Sequence, residues 1–72
     1  MLKDFPEALK WLNEAVKLAE KGSEQYFALQ YEIGALYEQM EDLQNAVKYF
    51  KGVHKWNSGY RDVALKLKAL KK

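Results

Sequence analysis

The chain has 72 residues, a formal net charge of +2 and no cysteine. A chain of this length holds one domain with a thin stability margin, because it buries only about 60% of the surface its unfolded form exposes. The lack of cysteine excludes a disulfide framework, a thiol nucleophile and a cysteine-ligated metal site, and the lack of any apolar run near the roughly 20 residues that span a bilayer, or of a signal-peptide core, leads to the expectation of a soluble, cytoplasmic protein with no membrane role.

Residue choice points to helices throughout. Threonine is absent, and the β-branched residues are only Val16, Ile33, Val47, Val53 and Val63. Alanine, leucine, lysine, glutamate and glutamine dominate, and these lose little on entering a helix. The first helix is expected over residues 5–21. Asp4 is its N-cap, Pro6 suits the first turn, and Glu7 completes an Asp-x-x-Glu capping pattern. Phe5, Ala8, Leu9, Leu12, Ala15, Val16 and Ala19 recur at steps of three and four, which makes one apolar face. Gly22 is read as its C-terminal stop.

Ser23 caps a second helix over residues 24–40, apolar on more than one side and therefore expected between two neighbours. A third helix follows Asp42, carries Leu43, Ala46, Val47, Phe50 and Val53, and fades near Lys55. Asn57, Ser58 and Gly59 break the chain before a fourth helix over residues 60–71. Acidic residues open the helices (Asp4, Glu24, Asp42, Asp62), and Lys21, Lys55 and Lys71 close three of them, as the helix dipole favours. The short links imply antiparallel, stacked helical hairpins.

The segment Asp4-Phe5-Pro6-Glu7-Ala8-Leu9-Lys10-Trp11-Leu12 is echoed by Asp42-Leu43-Gln44-Asn45-Ala46-Val47-Lys48-Tyr49-Phe50, at an offset of 38 residues. A period in this range points to a solenoid unit. The second and third helices resemble a tetratricopeptide repeat: Gln30-x2-Ile33-Gly34-x2-Tyr37, then Ala46-x3-Phe50. The first helix resembles the second half of such a repeat, Ala8-x3-Leu12 followed by Ala15. Gly34 inside a helix costs about 1 kcal/mol against alanine, and close approach by a neighbouring helix, with Ala46 and Ala8 as the small residues that meet it, would offset this. The sequence departs from the pattern at Gln30, in place of a large aromatic; at Glu41, in place of a turn glycine; and at Ser58, in place of a closing proline. The resemblance implies an all-α, right-handed stack in one domain: half a repeat over residues 4–22, a full repeat over 23–57 and a capping helix over 58–72. Ala8, Leu12, Gly34, Tyr37, Ala46 and Phe50 are its structural positions.

The resemblance also implies where a partner sits. Peptides lie against the first helix of each repeat in this family, which here places Ala28, Tyr31, Glu32, Ala35, Glu38 and Gln39 on the candidate surface. Glu32 and Glu38 would repel a carboxylate, so an apolar or basic segment is expected rather than a chaperone's C-terminal tail. A half repeat leaves part of the first helix's apolar face open. Trp11 and Leu18 add apolar surface beside it, which points to a protein partner or self-association.

Charge is segregated: residues 1–47 carry four lysines and nine acids, and residues 48–72 carry eight basic residues and one acid. The basic part also holds Tyr49, Phe50, His54, Trp56 and Tyr60, the combination that could bind phosphates and stack bases. A solvated last helix with aromatics in the core is the preferred reading, so nucleic acid is the alternative partner. Catalysis has little to draw on. His54 is the only histidine, Ser23 and Ser58 fall where helices start, and there is no Gly-rich phosphate loop. Glu38, Glu41 and Asp42 near one turn are better read as capping than as cation ligands. No catalytic residue, metal or cofactor is expected.

Overall fold

Helix-favouring composition and apolar residues at steps of three and four produce four helices. The computed structural model describes residues 5–70 and contains α1 (Phe5–Leu18), α2 (Glu24–Gln39), α3 (Leu43–Trp56) and α4 (Val63–Leu70). The Asp4 cap and the closing Lys71 lie outside the described residues. The helices pack in chain order, α1 on α2, α2 on α3 and α3 on α4.

The caps act as the residue types dictate. Ser23 is extended, with φ −77° and ψ 162°, and its Oγ accepts from the Tyr26 N–H at 3.1 Å. Asp42 accepts from Asn45 Nδ2 at 2.8 Å and from the Asn45 N–H at 3.5 Å. Each satisfies a backbone donor that the first turn leaves open.

Two boundaries differ from expectation by three residues. The first helix ends at Leu18, three residues early. The Ala19 N–H is shared between the carbonyls of Ala15 and Val16, and the chain then turns, closed by the Ser23 N–H on the Glu20 carbonyl at 3.1 Å. Gly22, with φ 87°, belongs to that turn. Its freedom serves to lead Ser23 into the extended conformation that caps α2, rather than to stop α1. The last helix starts at Val63 and not at Tyr60, because Arg61 takes a left-handed φ of 46° that no α-helix accommodates.

Between α2 and α3 the chain closes in a Schellman motif. The Asp42 N–H reaches the Tyr37 carbonyl at 2.9 Å, and the Glu41 N–H reaches the Glu38 carbonyl at 3.0 Å. The residue this motif holds left-handed is Glu41, with φ 64°. A non-glycine residue there costs about 1–2 kcal/mol, part of which a glycine gives back through its freer unfolded state. Glu41→Gly is therefore expected to stabilise the chain by about 1 kcal/mol, raising Tm by roughly 4–8 °C. A Tm unchanged or lowered in a thermal melt would refute the left-handed assignment.

The core is built where α2, α3 and α4 meet. Tyr31, Ala46, Phe50, Val53 and Val63 form one buried cluster, with Phe27, Ala35, Tyr37, Tyr60, Leu67 and Leu70 packed against it. Ile33 is also fully buried but stands outside that cluster. It is two residues from Tyr31, which is about 200° around an α-helix, so α2 buries two sides as its sequence requires. The open side of Gly34, where Ala8 and Ala46 were expected, faces the Phe50 ring. A Cβ added at Gly34 would lie 3.0 Å from Phe50 Cε1.

Helix α1 contributes no fully buried residue. Ala8 and Leu12, expected as structural positions, are only partly buried, as is Tyr37; Gly34, Ala46 and Phe50 are buried. Leu12→Ala is accordingly expected to cost about 1–2 kcal/mol, below the 2–5 kcal/mol of a fully buried leucine. Urea titration giving a loss of 4 kcal/mol or more would mean that α1 is packed far more tightly than this.

Candidate interaction surfaces

The expected partner face of α2 is largely engaged by the chain's own C-terminal segment. The Tyr31 hydroxyl donates to Asp62 Oδ1. Arg61 Nη1 lies 3.4 Å from Glu32 Oε2, and Lys66 Nζ lies 2.9 Å from Glu38 Oε1. The Arg61 guanidinium also lies over the Tyr31 and Tyr60 rings, at 5.1 and 5.3 Å from their centroids. Tyr31 is buried, Ala28 and Ala35 are partly buried, and only Glu32 and Gln39 of the expected set are exposed. Glu32 and Glu38 thus help to hold the C-terminal segment against α2. The exposed Arg61–Glu32 pair is worth little alone, of order 0–1 kcal/mol.

The Tyr31–Asp62 contact links this packing to pH. Burial, helped by the hydrogen bond to Asp62, pushes the Tyr31 hydroxyl up to about 12 from 10.0. The same bond holds the Asp62 carboxyl below its usual 3.8. Tyr31 binds its proton more tightly folded than unfolded, so its contribution is complete below pH 10 and is lost as the pH climbs toward 12. Asp62 has the opposite sign: its contribution holds above its ordinary value and is lost as the pH falls through its lowered one. Tyr31→Phe is expected to cost about 1 kcal/mol at neutral pH and to flatten the alkaline decline. Denaturation midpoints of both chains from neutral pH to alkaline pH check this, and parallel declines would remove Tyr31 as the titrating group.

The aromatics of the basic part pack against other rings of the chain, and of them Trp56 keeps the most open side, at 36% exposed. Trp56 stacks on Phe27 at 4.5 Å between centroids and lies 5.5 Å from Tyr60. Tyr60 sits edge-on to Tyr31, Tyr49 stacks on Tyr37, and Phe50 is fully buried. A pocket of about 350 Å³ opens between α3 and α4, lined by Lys51, His54, Leu67 and Lys68. His54 falls in the last turn of α3, where a basic residue complements the helix dipole.

The remaining exposed apolar side chains are large. Trp11 and Leu18 of α1 are 65% and 87% exposed. Leu43 and Leu65 are exposed on α3 and α4. On α1, Trp11 and Leu18 are two helical turns apart and share an edge of the apolar face, as the sequence spacing requires. The structure leaves both exposed on α1, while Tyr31, Glu32 and Glu38 of the α2 positions also expected to meet a partner are engaged by the C-terminal segment.

Among the described residues no group of three or more histidines or acids is placed to hold a metal ion. Among them, too, no helix is long and apolar enough to cross a membrane. Comparison with family models, curated proteins and solved structures returns no match to this chain.

Proposed function

We propose that the chain is a non-catalytic protein-interaction module, arranged as a tetratricopeptide-like right-handed stack. In this reading α1 is the second helix of a half repeat, α2 and α3 form the full repeat, and α4 with its preceding turn is the cap. The Gly34–Phe50 contact supports the repeat assignment, since it joins two motif positions across the α2–α3 hairpin. The observation that carries the interaction reading is the exposure of Trp11 and Leu18 on the outermost helix. Two large apolar side chains on one ridge form the kind of patch that association covers, and tryptophan is over-represented among residues that dominate binding energy. Because the cap already engages Tyr31, Glu32 and Glu38, the α1 ridge is the primary contact surface and the α2 face a lesser one.

The test places a photo-crosslinking amino acid at Trp11 and, as a control, at the exposed Lys55 in the last turn of α3. Protein adducts from position 11 and none from position 55 are expected. Nucleic acid, the alternative partner, is tested in parallel by fluorescence anisotropy with a single-stranded oligonucleotide. Tight binding at about 50 mM salt that collapses by about 200 mM would favour the basic part of the chain as the working surface and displace the protein reading.

A further inference from the structure

We propose that the partner of the α1 ridge is a second copy of this chain, joined as an antiparallel, two-fold symmetric α1–α1 pair centred beside Leu12 and Asn13. The inference rests on the protein-contact reading above and names the occupant. A two-fold contact requires a surface complementary to itself, so that if residue i meets residue j, then j meets i. In an antiparallel pair, residues that face each other have numbers with a constant sum. Glu7 opposite Lys17 and Lys10 opposite Glu14 share the sum 24. Trp11 opposite Ala15 and Leu18 opposite Ala8 share the sum 26. One common axis therefore serves all four pairs to within a residue's rise, about 1.5 Å.

The geometry of α1 places these residues correctly. Trp11 and Leu18 form the exposed ridge. Ala8 and Ala15 lie on its inner side, next to the apolar face, and are small and only partly buried, so they leave room for the partner's large side chains. Glu7, Lys10, Glu14 and Lys17 are all exposed on its outer side. Flanking charges of this kind select orientation in paired helices: a parallel two-fold pairing would set the charged side of one helix against the alanine side of the other, whereas the antiparallel one sets every charge against its opposite. Within one chain Glu14 and Lys17 are 3.9 Å apart and both mostly solvated, a weak contact that pairing across the axis can replace. Two helices of 14 residues make a contact smaller than a standard interface, so a reversible, concentration-dependent dimer is expected.

Sedimentation equilibrium of the whole chain over a concentration series tests this. The expected mass rises from 8.4 kDa to twice that value. Trp11→Glu is expected to leave only monomer while retaining helical circular dichroism, because the side chain it replaces is mostly solvated. Lys10→Glu alone is expected to weaken the dimer at least tenfold, and Lys10→Glu with Glu14→Lys to restore it, since the exchange reverses both charges across the axis. Leu65→Glu, on the outer side of α4, is expected to leave the dimer unchanged. A chain monomeric at all concentrations would overturn the proposal while leaving the crosslinking test of a different protein partner intact. Loss of association in Leu65→Glu would overturn it in favour of a head-to-tail contact, and failure of the double charge exchange to restore association would overturn the antiparallel register.

Discussion

Gly34→Leu is expected to remove most of the stability of this protein. The α-carbon of Gly34 faces the Phe50 ring so closely that a single added Cβ would lie 3.0 Å from Cε1, 3.1 Å from Cδ1 and 3.3 Å from Cζ. That ring is fully buried. Three further carbons must then push α2 and α3 apart, at a cost of about 3 kcal/mol or more. A chain of this size has a total of roughly 0.05–0.15 kcal/mol per residue to lose. Gly34→Ala is a graded control. It recovers about 1 kcal/mol of helix propensity but forces the ring to shift, so a loss of about 1 kcal/mol is expected. Urea unfolding followed by circular dichroism measures both. An unchanged midpoint for Gly34→Leu would mean that the two helices do not meet as described, and the repeat-like reading would fall with it.

Phe50→Ala is expected to be as damaging for the opposite reason. Phe50 is the largest fully buried side chain. It packs against Gly34 and lies 5.3 Å from Tyr31 between ring centroids, which ties α3 to the face of α2 that also receives α4. Removing the ring leaves a cavity and costs about 3–5 kcal/mol. Leu65→Ala, at a site 68% exposed, should stay within about 0.5 kcal/mol of the parent. Since the two large effects concern one contact, they should not add. Phe50→Ala opens the space that leucine at position 34 needs, so the double variant is expected to be more stable than the sum of the single losses predicts. Simple additivity would show that the two sites are independent.

The surface of α2 illustrates a limit of residue-level reading. Glu32 and Glu38 stand on a helix face with the spacing of a solvated or partner-facing surface, and nothing local distinguishes the two uses. Their cations, Arg61 and Lys66, are 29 and 28 residues away. The bond from Tyr31 to Asp62 spans 31 residues. Whether such groups meet depends on how a whole helix is laid across another, and that is decided by burial of Val63 and the aromatic cluster rather than by the charges themselves.

What the amino-acid order determined by itself was local. Steps of three and four residues between apolar positions defined four helices. Ser23 and Asp42 marked the starts of α2 and α3, because short polar side chains satisfy the open donors of a first turn. A glycine inside α2 pointed to a close approach, and the spread of apolar residues around α2 placed it between neighbours. Trp11 and Leu18, off the main stripe of α1, were readable as exposed. The tertiary structure alone decided the rest. It set the Phe50 ring against Gly34, ended α1 at Leu18, and delayed α4 until the left-handed Arg61 had turned the chain. It also folded the basic segment back on the acidic face of α2. The physical reason is that periodicity records which side of a helix is apolar, whereas the identity of the covering residue follows from packing many side chains at once, and no single spacing encodes it.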